Sequence, residues 1–455
     1  MISLTLMALF GCGGNADIDQ SITVSVEMGE HSNLIAEVVV SLEQPASVWV
    51  EYIGDEPAAL ATSATEQGLE HEIIVAAMRA DSEYEFTIHA DYDDGSLGTA
   101  IASFTTGQLP PSIADFSVDN FDELTEGYTF FGPAVKDMYS VAIDAAGNVV
   151  WYLEELGVTE READREVKPL GNGELLLLKQ GAVRIVDLAG NILVDIDGGD
   201  LELHLHHDLV PMPNGGYLGI AADDREMFIE GVGSVTVRGD SVLELDENGE
   251  LVWQWSSFDY LDTTRFPGAL SLGQTIDRKA VDWTHANGIQ YNDWDDTILL
   301  SLRHQSQVIL IDHVTGDLLW TFGEDGDFEL TSGEWFYNQH APELLEDGRI
   351  LIYDNGNERP TEDGRHSRGV IYQLDYDNMT ATQVWEFDSE FYTGRLGDID
   401  LLENGNVLIC AGGVESSGIA RLYEVPYEAN AEPVWQLNVP GELLYRGTRV
   451  SSLYE

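Results

Sequence analysis

One phrase recurs six times between Val141 and the C-terminal end: a short apolar strand, an acidic turn with Gly or Asn, and a second strand that usually ends in tryptophan. The copies are VAIDAAGNVVW ending at Trp151, VRIVDLAGNILV at Val194, VLELDENGELVW at Trp253, VILIDHVTGDLLW at Trp320, IYQLDYDNMTATQVW at Trp385 and LYEVPYEANAEPVW at Trp435. A spacing of roughly 40 to 65 residues suits a four-stranded blade with loops of variable length. The fold predicted from this is all-β, a six-bladed β-propeller over residues 115–455. Chemistry would gather where the blades meet, along the central channel.

A second phrase precedes most of these hairpins: a polar residue, a short strand, a Gly/Asn turn and a strongly apolar strand. Counting back eight residues from the turn position gives His207 in HDLVPMPNG, His285 in HANGIQYND and His340 in HAPELLEDG. The same count gives Gly397 in GDIDLLENG and, allowing a shift of one, Arg165 or Glu166 in REVKPLGNG. Histidine is therefore not demanded by the repeat itself. Residues that enter the innermost strands from one face converge on the channel although they lie far apart in sequence.

Composition bounds the partners. With 455 residues, 44% hydrophobic and 9% aromatic, the chain can bury well-packed cores. Its 21 basic and 82 acidic residues leave a formal charge of -61, a field that repels nucleic acid and anionic membrane surfaces and excludes both. Such an acidic surface suits a salty medium, where counter-ions screen the self-repulsion. Lysine occurs only at Lys136, Lys168, Lys179 and Lys279. None lies in the Gly-Lys-Ser/Thr context of a phosphate-binding loop, so nothing supports a nucleotide co-substrate.

Residues 1–12 read as a lipoprotein-type signal segment, because the apolar run stops at Leu9-Phe10-Gly11-Cys12, a sequence similar to a lipid-attachment box. The expectation is lipidation of Cys12, a flexible linker over 13–21, and an exported lipoprotein of the periplasm or cell envelope that meets a membrane only through that anchor. Cys410 is then a lone buried thiol with no disulfide partner. Residues 22–107 alternate with period two and predict a β-sandwich similar to a fibronectin type III or Ig-like module, with Trp49 on a core strand and Tyr84 as its corner tyrosine. This module is a candidate for pairing with a second copy as a homodimer, or for spacing the propeller from the membrane. His31, His71 and His89 fall within it as solvated or satisfied side chains. Pro110 and Pro111 stiffen a linker over 108–114.

Three stretches carry the candidate chemistry: LHLHHDLV with His204, His206 and His207; DWTHANGI with His285 and Asn287, followed by SLRHQ with Arg303 and His304; and EWFYNQHAPELL with His340. Alternation on a strand turns His207 inward and His206 away, leaving His204 and His206 as supporting or packed residues, with His206 a possible substrate contact. Asn287, two residues after His285, shares its side and offers a further donor. His304 faces away from Arg303 as a structural residue, while His313 in a hairpin turn and His366 in a polar loop face solvent. Trp283, Trp335, Phe336 and Tyr337 are candidates for an aromatic channel mouth, though each is also an ordinary packing residue.

These motifs, HHD, DW-x-H-x-N, S-x-R-H and Q-H, resemble those of the bacterial arylsulfate sulfotransferases, which pass a sulfuryl group between phenols without adenosine phosphosulfate. The resemblance covers the propeller and extends to a small β-domain in front of it. It implies a channel site made by His207, His285, Arg303 and His340, with His340 transiently sulfurylated in a ping-pong cycle. It also implies phenols and aryl sulfate esters as partners and no cofactor.

The residue types suit that chemistry. Sulfuryl transfer, like phosphoryl transfer, is expected to pass through a loose transition state with charge on peripheral oxygens, so positioning and electrostatics dominate. Arginine bridges two such oxygens with fixed donors, and a neutral imidazole is nucleophilic near pH 7. The other histidines can donate to sulfuryl oxygens or move the phenol proton. Two rivals remain: a metal-dependent hydrolase or lyase built on three imidazoles, which the cationic Arg303 opposes, and a propeller that binds ligands without turnover.

Overall fold

The structure, a computed structural model, describes residues 22–55, 58–111, 113, 116–120, 126–133, 139–154, 166–179, 182–197, 205–229, 233–265, 280–357, 359, 365–389, 392–413, 418–441 and 443–454. The expectations for Cys12 and His204 lie outside these residues. The described chain is almost wholly β, and none of its helices is long and apolar enough to cross a membrane.

At the N-terminal end one long strand, Ala36–Ile53, serves two groups of neighbours. Its first half pairs with Thr23–Met28 and Gly68–Val75; past a break between Ser41 and Ala46, its second half pairs with Leu60–Ala61 and Glu83–Tyr92, to which Leu97–Thr105 adds. Val38, Val40, Val48, Val50, Tyr52 and Phe86 are buried in one cluster. The Tyr84 hydroxyl accepts from the Arg79 backbone N–H at 2.8 Å, as a corner tyrosine would. Trp49 lies on this core strand as expected, but alternation turns Val48 and Val50 inward, so its side chain lies outside that core, stacked on His89 at 4.8 Å. His71 is buried and bonded through both ring nitrogens, to Thr65 and Gly68, whereas the buried Nε2 of His89 has no partner.

Beyond residue 116 the described strands form six sheets in succession, antiparallel except where Ala280–Asp282 and Glu329–Ser332 add in parallel. Sheets 2 to 6 each begin with an inner strand: Glu166–Gly171, Leu205–Pro211, Ala286–Asn292, His340–Leu344 and Asp398–Leu401. Sheet 1 joins the two ends of this region, because the late strand Leu444–Val450 pairs with Tyr128–Pro133; likewise the early strand Ser117–Asn120 completes sheet 6 by pairing with Trp435–Pro440. The inner strands of sheets 3 to 6 touch in order, sheet 6 touches Leu444–Val450, and that strand touches sheet 2, whose first hairpin touches sheet 3. The succession therefore closes on itself, as in a propeller.

The tryptophan phrase explains the spacing between sheets. The indole N–H of Trp151 donates to the Leu188 carbonyl in the turn of sheet 2, Trp255 to Gly316 in sheet 4, Trp385 to Glu428 in sheet 6, and Trp435 to Ala145 in sheet 1. In sheet 3 the residue that makes this bond is Trp255; Trp253, which ends the repeated phrase, packs on His313 instead. The acidic turns are Asx turns: Asp144, Asp187 and Asp246 each accept the backbone N–H four residues on, with Gly147, Gly190 and Gly249 in the left-handed region that glycine tolerates.

The front module is docked firmly on this ring. Ile35, Ala76 and Ala77 join a core with Trp151, Leu188 and Leu453, and the Tyr454 hydroxyl accepts from the Ala76 N–H at 2.7 Å. Closure depends on a close backbone approach at Gly447, where an added Cβ would meet Leu422 Cδ2 at 2.2 Å. Gly447→Ala is expected to destabilise the protein by about 1–3 kcal/mol through overpacking, measured as the shift of a denaturant midpoint; an unchanged midpoint would contradict the closure described.

Candidate active site

The inner strands of sheets 3, 4 and 5 are irregular where their histidines lie. Their pairing registers break between Leu205 and Leu209, between Ala286 and Gly288, and between His340 and Glu343. His207, His285 and Ala341 take left-handed φ angles of 61°, 49° and 44°, a strain of order 1–3 kcal/mol each that functional sites commonly hold. Such bulges re-aim side chains. The His207 and His285 rings lie 4.9 Å apart, and His207 also feels the charges of His340 and Arg446. Imidazoles from two successive sheets thus meet, and that of the third, His340, lies within electrostatic reach of both. In sheet 6 the equivalent Gly397 has φ 128°, and a Cβ there would fall 2.2 Å from the Tyr353 ring, so no histidine fits.

The bulges overturn the expectation of strict alternation. His206 does not point away: its Nδ1 lies 2.6 Å from His207 Nδ1 and its Nε2 3.0 Å from the Asp240 carboxylate. With both nitrogens occupied it supports His207 and is not a substrate contact. His304 is likewise not on the far side of a strand. Arg303–Gln305 is a 3₁₀ turn that stacks His304 on His285, with ring centroids 4.3 Å apart. Asn287 is fully buried and donates through Nδ2 to the Gln339 carbonyl, away from the role expected of it; its Oδ1 has no partner. His313 is only partly exposed and lies between Glu244 and Asp296, and His366 bonds to Arg359. Of the proposed mouth residues, Trp283 and Phe336 are core, Trp335 packs against such a core, and Tyr337 donates its hydroxyl to Glu324.

Each imidazole is held from behind. His285 Nδ1 lies 2.6 Å from Asp282 Oδ2. His340 Nδ1 lies 2.6 Å from Asn355 Oδ1, and the Asn355 amide cannot be turned round because its Nδ2 already donates to the Thr393 and Leu396 carbonyls. His340 Nδ1 must therefore carry its proton, leaving a lone pair on Nε2, which accepts from the Leu396 N–H at 3.2 Å. Burial first and the Arg303 charge second hold His340 well below the ordinary imidazole range. Burial and then His206, His285, His340 and Arg446 do the same for His207. For His304, burial and His285 lower the value to about 3. Burial alone would raise Asp282, but His285 and His304 bring it down to about 2, so it stays ionised.

Arg303 is anchored by Nη2 to the Gly394 carbonyl at 2.9 Å. A second guanidinium, Arg446 on the closing strand, donates to Asp208 Oδ2 at 2.8 Å and to the Asn287 carbonyl. Lys168 bonds to the other Asp208 oxygen, and these three residues line a cavity of about 240 Å³ that also holds Glu343. Sequence reasoning missed Asp240, Asn355 and Arg446, which carry no repeat signal. Asp282 and Asp208 stood unremarked inside the quoted DW-x-H-x-N and HHD motifs, and Lys168 was notable only as a rare lysine.

Asp282, His285 and His304 bring donor atoms within 4.8 Å of one another, yet their arrangement does not fit a metal. His304 Nδ1 lies 3.0 Å from the Asp282 backbone carbonyl, to which it donates, and its ring lies flat on His285 at an interplanar angle of 22°, whereas ligand nitrogens point at a shared ion about 2.0–2.1 Å away. The trio is a carboxylate orienting an imidazole, backed by a stacked ring.

The sequence profile of arylsulfotransferases (ASST) matches residues 121–446, which include every side chain just described. The chain belongs to that family. It is 25% identical to the arylsulfate sulfotransferase AssT of Escherichia coli O6:H1, over 74% of this chain and 64% of the relative, so it spans less than two thirds of that protein's length. With AssT of Lelliottia amnigena it shares 22% identity over 71% of this chain and 67% of the relative. Among solved structures, a protein of unknown function from Bacteroides caccae aligns at 15% identity and a TM-score of 0.43, over 72% of this chain and 100% of its own.

The buried imidazoles set a pH dependence. His207, His304 and His340 stay neutral in the fold, while unfolded imidazoles titrate near pH 6.5. Below about pH 6.5 the unfolded chain binds more protons, so these groups make stability rise with pH. Glu343, raised by burial to about 7, acts oppositely: its contribution is full at low pH and lost as pH rises through 7. With three groups against one, the denaturant midpoint should fall between pH 7 and pH 5.5 at constant salt. A flat or rising midpoint would show that these imidazoles are not held neutral.

Proposed function

We propose that this protein transfers a sulfuryl group from a phenolic sulfate ester to a phenolic acceptor, by a ping-pong cycle through an intermediate on His340 Nε2. One observation carries the reading: among the three imidazoles, His340 has a neutral amide behind it, a fixed Nδ1–H and a lone pair on Nε2. It is kept neutral while Arg303 is close enough to act on it electrically. A nucleophile needs that lone pair, and an anionic sulfate needs the adjacent cation.

In the donor step the Leu396 N–H gives up its bond to His340 Nε2, the freed lone pair attacks sulfur, and the phenolate leaves. In the acceptor step a second phenol attacks sulfur, and the S–N bond returns its electron pair to His340. Arg303 and Arg446 stabilise sulfuryl oxygens, with the Leu396 N–H as an additional donor. His285, with an ionised carboxylate behind it, is suited to hold a proton beside the phenol oxygen. The segment Leu9–Cys12 supports export and attachment through a lipid on Cys12.

Incubation with 4-nitrophenyl sulfate and phenol should release nitrophenolate, and His340→Asn should abolish release. Mass spectrometry of quenched wild type should find a sulfuryl group on the His340 peptide; an adduct on another peptide would reassign the nucleophile. Arg303→Lys should lower kcat about 10²–10³-fold, because a point charge cannot bridge two oxygens, and an unchanged kcat would remove Arg303 from the transition state.

A further inference from the structure

His207 presents a problem that its surroundings answer. It is half-buried against His285 and within electrostatic reach of His340 and Arg446, all of which oppose a positive charge on its ring, with Asp208 already taken by Lys168 and Arg446. Yet it is not isolated from a counter-charge. His206 Nε2 lies 3.0 Å from Asp240, a buried carboxylate that also accepts from Thr284 Oγ1 and the Ala286 N–H. If Asp240 accepts the His206 Nε2–H, then His206 Nδ1 is an acceptor, so His207 Nδ1 must donate across the 2.6 Å gap. His207 Nε2 is left with a lone pair. The order is carboxylate, imidazole, imidazole, lone pair.

We propose that Asp240, His206 and His207 form a proton relay that deprotonates the acceptor phenol, an inference that rests on the transfer reading above. The phenol O–H bond breaks as its proton joins His207 Nε2. The proton on His207 Nδ1 moves to His206 Nδ1, so His207 ends neutral and the imidazolium forms at His206, 3.0 Å from Asp240. The phenol oxygen pair forms the new S–O bond, and the S–N bond to His340 breaks with its pair returning to Nε2. Positive charge is thereby moved off His207, where Arg446 and the neighbouring imidazoles oppose it. His206 acts through His207 and is a positioning and relay residue; it touches no substrate. Both histidines and Asp240 lie on sheet 3, held in line by the bulge at His207 and by the Asp240 bonds to sheet 4.

The two half-reactions separate the relay from the nucleophile. Nitrophenolate leaves without needing a proton, whereas phenol, with a pKa of about 10, must lose one to accept the sulfuryl group. In His206→Gln, acceptor transfer to phenol should therefore fall about 10²-fold more than the nitrophenolate burst measured without acceptor. That gap should close with a polyfluorinated phenol already ionised at the assay pH. In the unmodified enzyme, the acceptor step should give a curved proton inventory in mixed light and heavy water, as two moving protons require. Equal losses in both steps, a gap indifferent to acceptor ionisation, or a linear inventory would overturn the relay. Absence of any burst in the wild type would instead sink the transferase reading, and the relay with it.

Discussion

A hydrogen bond repeated around the molecule, from a tryptophan indole to the turn carbonyl of the next sheet, fixes the angle at which sheets succeed one another. Each such bond contributes only about 1 kcal/mol net. The apolar clusters it accompanies bury a dozen or so side chains per interface, each worth roughly 1.5–3 kcal/mol. The clusters supply the stability, and the directional bonds select one packing among many. Since the three histidines come from three different sheets, an error of one sheet's tilt would separate them. The chemistry thus depends on a bond made far from it, at the rim.

The electrostatics of the site also differ from those of the whole chain. On the transfer reading a chain of formal charge -61 admits an anion, and Arg303, Arg446 and Lys168 stand near the imidazoles together with the buried carboxylates Asp208, Asp240 and Asp282. Surface charges are screened over about 8–10 Å in ordinary salt, and buried ones much less. Local charges of both signs therefore set the field at the imidazoles. Asp208 between Lys168 and Arg446 tempers that field and keeps both cations in place.

The group behind each imidazole separates the roles. Asn355 offers His340 a neutral carbonyl, which fixes a tautomer and whose pull on a second proton is outweighed by burial and Arg303. Asp282 behind His285, and Asp240 behind His206, offer carboxylates. On the proposed reading, identical side chains become a nucleophile and proton carriers through their second neighbours. The cost is backbone strain at His207 and His285, which a regular strand would avoid and a closed ring of sheets can hold.

The repeat was legible because period-two strands and Asx turns are local: Asp144 and Gly147 determine their hairpin from within five residues. The convergence of His207, His285 and His340 was legible too, since equivalent positions of a repeat become neighbours when the repeats close. What the linear pattern could not give was orientation. Alternation placed His206, His304 and Asn287 wrongly, because bulges and a 3₁₀ turn depend on how the inner strands crowd at the axis. Asp240, Asn355 and Arg446 were invisible for a related reason: each reaches the site from a strand or loop well removed in sequence from the histidine motifs. The sequence by itself determined the hairpins, their number and the residue types that meet. Tertiary structure alone decided which nitrogen of each imidazole is held by a neighbour, because that choice belongs to partners brought close by packing and not by spacing along the chain.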